Sequence, residues 1–262
     1  MAVQPIGFRA SKRLGQNFLV DDSVARREAS YAAGKRAVEL GPGTGALTAR
    51  LCEVASSVVA VEKDQRLCEA LLSSMSDPKL RLVCGDFFKT EYAELGEPEI
   101  MVSNIPYNMS SKTIDWLAAH RMEAVICTQK EFAERMLARP GTCEYSKLSV
   151  ITALQFSVEK LMDVPAGAFR PVPKVDSIVL RMTPLSGSLD RKYIVVIGAL
   201  MSHKNRKVRN AIEDSASPLG LSKASARRLG DEAPHSGMRL FELAPAEILK
   251  IASYISAARV TE

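Results

Sequence analysis

The sequence predicts an α/β domain built on a mostly parallel sheet with helices on both faces, followed by a small all-helical domain. Three observations predict it. Short apolar, β-branched runs alternate with helical patterns as far as Pro184. A glycine-rich turn joins the first of these runs to the helix that follows it, and after Pro184 no further β-rich run occurs. Alternating strand and helix implies parallel strands, because a return to the same end of a sheet needs a crossover, usually a helix packed on one face.

In order, "RAVELG" (36–41), "SVVAVEKD" (57–64), "LRLVCGD" (80–86), "EIMVSN" (99–104) and "EAVICTQ" (123–129) each read as a buried strand. Between them, "GALTARLCEVA" (45–55), "QRLCEALLSSM" (65–75) and "SKTIDWLAAH" (111–120) carry the helical period. Two later runs, "FSVEKLMDVP" (156–165) and "SIVLRMTP" (177–184), form a pair that extends the sheet at one edge. "LSGSLD" (185–190) is a linker, and helical segments follow near 190–202, 205–214, 222–229 and 245–258. The expected domains are therefore 1–185 and 186–262.

Composition narrows the function. No apolar run approaches the ~20 residues of a membrane span, and the basic start of the chain is not followed by an apolar signal core. A cytoplasmic protein with no membrane partner is expected. The five cysteines lack any C-x-x-C pairing, so buried, reduced thiols are expected rather than disulfides or zinc. Three widely spaced histidines offer no metal site. The net charge of +5 is unevenly placed: residues 191–228 hold nine Lys/Arg against two Asp/Glu. A solvated helical face and a phosphate-facing surface both fit that imbalance.

The residues that can carry chemistry fall at strand ends, where open α/β sheets bind ligands. Gly41, Gly43 and Gly45 in "VELGPGTGALT" (38–48) allow a tight turn and a close backbone approach, with Glu39 just before them. Glu62 ends the second strand, where an acid can accept both hydroxyl hydrogens of a ribose; the plainer reading is a surface carboxylate paired with Lys63. Asp86 ends the third strand beside Phe87 and Phe88. It can accept from an adenine amine, or simply cap the next segment. "NIPYNMSS" (104–111) ends the fourth strand, and Pro106 fixes the direction of the carbonyls around it. Asn104 and a carbonyl of Ile105 or Pro106 can hold the two hydrogens of a base's exocyclic amine and aim its lone pair at a methyl donor. Tyr107 can stack on an extruded base. A structural Asn-Pro turn with a core tyrosine is the alternative.

Together "RLGQNFLVDD" (13–22), "VELGPGTGALT", "VVAVEKD", "VCGDF", "NIPYNMSS" and "FRPVPKVDSIVLR" (169–181) resemble the KsgA-type small-subunit ribosomal RNA adenine dimethyltransferases. The resemblance spans nearly the whole chain. It implies a Rossmann-like class I methyltransferase fold with S-adenosylmethionine as methyl donor. It also implies dimethylation of N6 on two adjacent adenosines near the 3′ end of small-subunit RNA, coupled to assembly of that subunit, by a monomer acting on RNA or on the pre-ribosomal particle. It further implies that Asn17 and Leu19 line the cofactor pocket with Gly41, Gly43, Glu62, Asp86 and Asn104; that Asn104, Pro106 and Tyr107 act in catalysis; and that Phe169 contacts RNA. In "MSHKNRKVRN" (201–210) the chain keeps Lys204, Arg206, Lys207, Arg209 and Asn210 of the family's basic segment, with Met201 at its aromatic position. The variant looks more archaeal than bacterial. These four cations are the expected RNA contacts, read as two adjacent rows on one helix, with Arg9, Lys12 and Arg13 as the alternative surface. Rival readings are a large-subunit rRNA or DNA adenine methyltransferase, a non-catalytic assembly factor and a nicotinamide dehydrogenase. The basic 191–228 segment weighs against the first, Asn104 and Glu62 against the second, and Asp86 with "NIPY" against the third.

Overall fold

The computed structural model describes residues 10–11, 15–187 and 189–258; Arg9, Lys12 and Arg13 lie outside them. The described chain divides into two compact units. One runs as far as Ala133 and resumes over Val158–Pro184, and the other comprises Glu134–Ser157 and the residues from Leu185 onward.

The first unit opens with a short strand, β1 (Phe18–Leu19), and helix α1 (Asp22–Ser30). Asp21 starts α1 by accepting the Ser23 and Val24 N–H groups, which satisfies two donors that a helix start leaves free. The predicted alternation follows: β2 (Arg36–Leu40), α2 (Ala46–Val54), β3 (Ser57–Glu62), α3 (Gln65–Ser74), β4 (Leu80–Cys84), β5 (Ile100–Asn104), α4 (Ser110–His120) and β6 (Glu123–Gln129). Further along the chain come α5 (Lys130–Leu137) and α6 (Lys147–Gln155), of which α6 lies in the second unit, and then β7 (Phe156–Val164), the two-residue β8 (Phe169–Arg170) and β9 (Ser177–Pro184).

Seven strands form one sheet in the order β4-β3-β2-β5-β6-β9-β7. The neighbours from β4 to β6 are parallel. β9 runs antiparallel to β6, pairing Ala124 with Met182 and Gln129 with Ser177, so the expected edge pair is present. Strand order reverses between β2 and β5, and the crevice at the carboxyl ends of strands flanking such a switch point is where ligands bind. β1 and β8 form a second, two-stranded sheet that sets Phe18 opposite Arg170 and Leu19 opposite Phe169. The core between sheet and helices is drawn from α1, α2 and the strands: Val24, Ala25, Leu47, Leu51, Val58, Ile100, Val102 and Val125 are all buried.

Two expectations need correction here. Cys68 of α3 and Cys84 of β4 are joined as a disulfide, with Cα atoms 5.7 Å apart and a sequence separation of 16. The helix leads directly into the strand beside it, and that places two thiols without any C-x-x-C motif close enough to bond. Closing a loop of about this length is worth roughly 3 kcal/mol in chain entropy. Cys52 and Cys127 are free and buried, and Cys143 is free and exposed.

The second correction is the domain boundary. Residues 134–157 belong with the helical unit, not with the sheet, because Tyr145, Val150 and Ile151 are part of its core. That core is completed by α7 (Arg191–Met201), α8 (Val208–Asp214), α9 (Lys223–Glu232) and α10 (Pro245–Ala258). The Tyr145 hydroxyl donates to the Leu243 carbonyl at 2.9 Å, which gives the one polar atom of a buried ring its partner. No described helix is long and apolar enough to cross a membrane.

Candidate functional site

Four strand ends converge on one cavity of about 320 Å³. β2 delivers Gly41 and Gly43, β3 delivers Glu62, β4 leads to Asp86, and β5 delivers Asn104 with Pro106 and Tyr107 behind it. Asn17 and Phe169 complete the wall. Phe169, expected among the RNA contacts, thus sits in the same cavity as Tyr107, carried there by the pairing of β8 with β1. Leu19 is placed differently. Its side chain is in the core, and it borders a separate pocket of about 30 Å³ that it shares with Asn17, Glu39 and Asn104.

Glu62 is buried, and both its oxygens are engaged by the backbone. Oε2 accepts the Gly43 N–H at 3.0 Å and Oε1 accepts the Asp64 N–H at 2.8 Å. Burial raises its pKa, opposed by these hydrogen bonds. Gly43 is required where it stands: φ is +61°, and a Cβ there would lie 3.0 Å from the Phe18 ring. Lys63 pairs with Asp86 at 2.8 Å rather than with Glu62, and this contact is the main reason the Asp86 carboxyl is held below its ordinary pKa. Asp86 also caps the short turn after β4 by accepting the Phe88 N–H at 3.1 Å, so capping and a place on the cavity wall go together.

Asn104 presents an asymmetric amide. Its Nδ2 donates to Glu28 Oε2 at 3.1 Å, while its Oδ1 is buried with no partner among the described residues. Behind it the turn is pinned: Ile105 N–H donates to the Cys127 carbonyl at 3.0 Å, and Met109 N–H donates to the Pro106 carbonyl at 2.7 Å. The Tyr107 hydroxyl lies 3.0 Å from Ser177 Oγ. Gln16 anchors the approach to Asn17 by accepting the Ser11 N–H at 2.7 Å and donating to Asp64 Oδ2 at 3.0 Å. Asp64 is lowered to a pKa of about 2, chiefly by its bond to Arg66.

The basic segment is not the continuous helix that its spacing suggested. α7 ends at Met201 and α8 begins at Val208, so Lys204, Arg206 and Lys207 lie in the turn between them and form no helical rows. The Lys204 ammonium donates to the Cys143 and Tyr145 carbonyls at 2.6 and 2.8 Å, a structural use of two of its three N–H groups. Arg206 pairs with Asp214 at 3.1 Å on the surface, and Arg209 and Lys207 are exposed.

Glu28 and Gln16 were not evident from sequence. The signal for Glu28 was an acid on the apolar face of α1, among Val24, Ala25, Ala29 and Ala32. Among the described residues no His/Cys/Asp/Glu group could hold a metal ion.

A family model described as "Ribosomal RNA adenine dimethylase" matches residues 7–256. A relative from Thermococcus gammatolerans, named "Probable ribosomal RNA small subunit methyltransferase A", is 38% identical over 253 residues, covering 94% of this chain and 90% of its own. Among solved structures, a dimethyladenosine transferase from Plasmodium falciparum is 26% identical with a TM-score of 0.73, over 89% of this chain and 95% of that one. The 23S rRNA methyltransferase ErmE is also 26% identical, with a TM-score of 0.64, over 92% and 100%.

Proposed function

The chain belongs to the ribosomal RNA adenine dimethylase family, and on that premise we propose that it transfers methyl groups from S-adenosylmethionine to N6 of two adjacent adenosines near the 3′ end of small-subunit rRNA. The observation that carries this reading is the convergence of Glu62, Asp86 and Asn104 on one cavity, with Asn104 Oδ1 buried and without a partner among the described residues. A buried acceptor without a donor is costly, and an exocyclic amine supplies the missing hydrogen.

The residues present fit the methyl donor. Glu62 accepts from its ribose hydroxyls, and Asp86 accepts from its adenine amine beside Phe87 and Phe88. When bound, S-adenosylmethionine supplies an electrophilic methyl group. Asn104 Oδ1 and the Ile105 carbonyl then hold the two hydrogens of the target amine; Pro106 is the poorer choice because its carbonyl already accepts from Met109. Held this way, the nitrogen is pushed from planar toward pyramidal and its lone pair turns to the methyl. No strong base is needed, since the amine proton becomes acidic only after transfer. Tyr107 and Phe169 offer aromatic faces to the extruded base. Arg206, Lys207 and Arg209 remain as candidate phosphate contacts, and a monomer acting in the cytoplasm on a pre-ribosomal small subunit completes the reading.

Incubating the protein with labelled S-adenosylmethionine and unmethylated small subunits or naked RNA, then mapping labelled nucleosides by mass spectrometry, tests it. Dimethyladenosine at two adjacent small-subunit positions is expected. The likeness to ErmE makes a large-subunit target the second reading, and label in large-subunit RNA alone would select it.

A further inference from the structure

We infer that Glu28 is a positioning residue that fixes which end of the Asn104 amide faces the methyl-transfer cavity. The inference rests on the role proposed above for Asn104 and adds to the site a side chain from α1 that lies outside the cavity wall.

A side-chain amide has two ends of nearly equal shape and opposite chemistry: the oxygen accepts and the NH₂ donates. Only the oxygen can hold an amine hydrogen. With the NH₂ turned into the cavity, a donor would face a donor and the target nitrogen would be repelled. Packing alone does not choose between the two orientations, so a hydrogen-bonding partner behind the amide must choose. Glu28 is that partner. Its Oε2 receives Asn104 Nδ2 at 3.1 Å, and Oδ1 is left as the end without a partner among the described residues.

The placement of Glu28 strengthens the point. It is buried on the apolar face of α1, 1% exposed, and its second oxygen, Oε1, has no partner among the described residues. An apolar side chain would pack there at lower cost, so the carboxyl calls for a polar reason, and the Asn104 NH₂ is the bond it makes. The titratable groups acting on it are Glu39 of β2 and the Cys127 thiol of β6, neither of them a cation. Burial first, and then Glu39, push its pKa up to about 8. The ionised carboxyl can only accept, so it holds the Nδ2 end alone; the protonated acid also carries a hydroxyl that can donate to Oδ1, so the choice of end belongs to the ionised form.

The test uses the full-length protein with E28M, E28Q and N104A, read by thermal melting, by calorimetry with S-adenosylhomocysteine, and by single-turnover methyl transfer at saturating RNA. Methionine fills a similar volume in a helix but accepts nothing useful from an amide. E28M is expected to melt somewhat below the wild-type temperature, because the Asn104 NH₂ loses its acceptor, to bind S-adenosylhomocysteine within about threefold of wild type, and to transfer methyl about tenfold or more slowly. A merely structural Glu28 would move the first quantity and spare the last. E28Q, whose amide can hold either end of Asn104, is expected to recover the rate only in part. A wild-type single-turnover rate in E28M beside a slow N104A overturns the role of Glu28 and leaves that of Asn104 standing. If N104A also keeps its rate, Asn104 itself is misassigned. Should E28M fail to fold, the wild type decides by NMR: Asn104 side-chain NH₂ resonances that shift as the Glu28 carboxyl titrates support the pair, and resonances that ignore it overturn the pair.

Discussion

Glu62 Oε2 accepts the Gly43 N–H at 3.0 Å, so the acid at the end of β3 and the glycine turn after β2 form one hydrogen-bonded unit. The same carboxylate takes the Asp64 N–H on its other oxygen. Glu62→Ala therefore removes the proposed ribose acceptor and leaves two backbone donors without their partner. Each charge-assisted bond removed is worth ~1.5–3 kcal/mol. S-adenosylhomocysteine affinity should fall at least several-fold by calorimetry, with a lower melting temperature. A folded variant of unchanged affinity would remove Glu62 from the site.

Asn104→Ala should slow methyl transfer by one to several orders of magnitude, on the scale of removing a preorganised hydrogen-bond acceptor from the reacting centre. RNA affinity should largely survive, because phosphate contacts supply most of it. Loss of RNA binding with normal single-turnover chemistry would contradict the assignment.

Lys204 and its basic neighbours should separate cleanly. Lys204→Met deletes two hydrogen bonds to carbonyls and should lower stability while leaving the salt dependence of RNA binding alone. Replacing Arg206, Lys207 and Arg209 with Gln should flatten the log–log salt slope by roughly 0.7–0.9 for each phosphate that these cations neutralise, with S-adenosylhomocysteine affinity unchanged. An unaltered slope would make these three a solvated face and direct attention to Arg9, Lys12 and Arg13.

Stability should decline as pH rises from about 5 to 8. Glu28 and Glu39 are both pushed by burial from 4.5 up to about 8. Between those values the unfolded chain releases protons that the fold retains, so each group's contribution is whole below 4.5 and lost toward 8, by at most ~1.4 kcal/mol per pH unit. Asp64 works in the opposite window. Its lowered pKa stabilises the fold above about 4 and is lost as pH falls toward 2. Urea midpoints at pH 5, 6.5 and 8 check this, and E28M should show a shallower decline. A midpoint that rises with pH would mean that both buried carboxyls are ionised in the folded state.

The strand ends were legible because their chemistry is local. Glu62, Asp86 and Asn104 each follow an apolar run directly, and strands at a switch point must open onto the same crevice. What stayed hidden depends on contacts between distant segments. Glu28 meets Asn104 across 76 residues of sequence, Lys204 meets Cys143 and Tyr145 across about sixty, and Cys68 meets Cys84 only because α3 folds back beside β4. Helical spacing also misled. Lys204, Arg206 and Lys207 fit a helix on propensity, but Arg206 N–H donates to the His203 carbonyl and Val208 N–H to the Met238 carbonyl, which closes the turn instead.

The split helical unit also imposes a timetable on synthesis. Val150 and Ile151 of α6 leave the ribosome well before Ile248, Ile251 and Ile255 of α10, the helix they pack against. Roughly 100 residues separate the two, about 5–20 s at ordinary elongation rates. For that interval the nascent helix lacks α10, with α7 as its earlier partner in this core, and is open to capture by chaperones or by other nascent chains. Yield in a cell short of chaperones should therefore be limited during translation, at a step that melting the finished protein never samples.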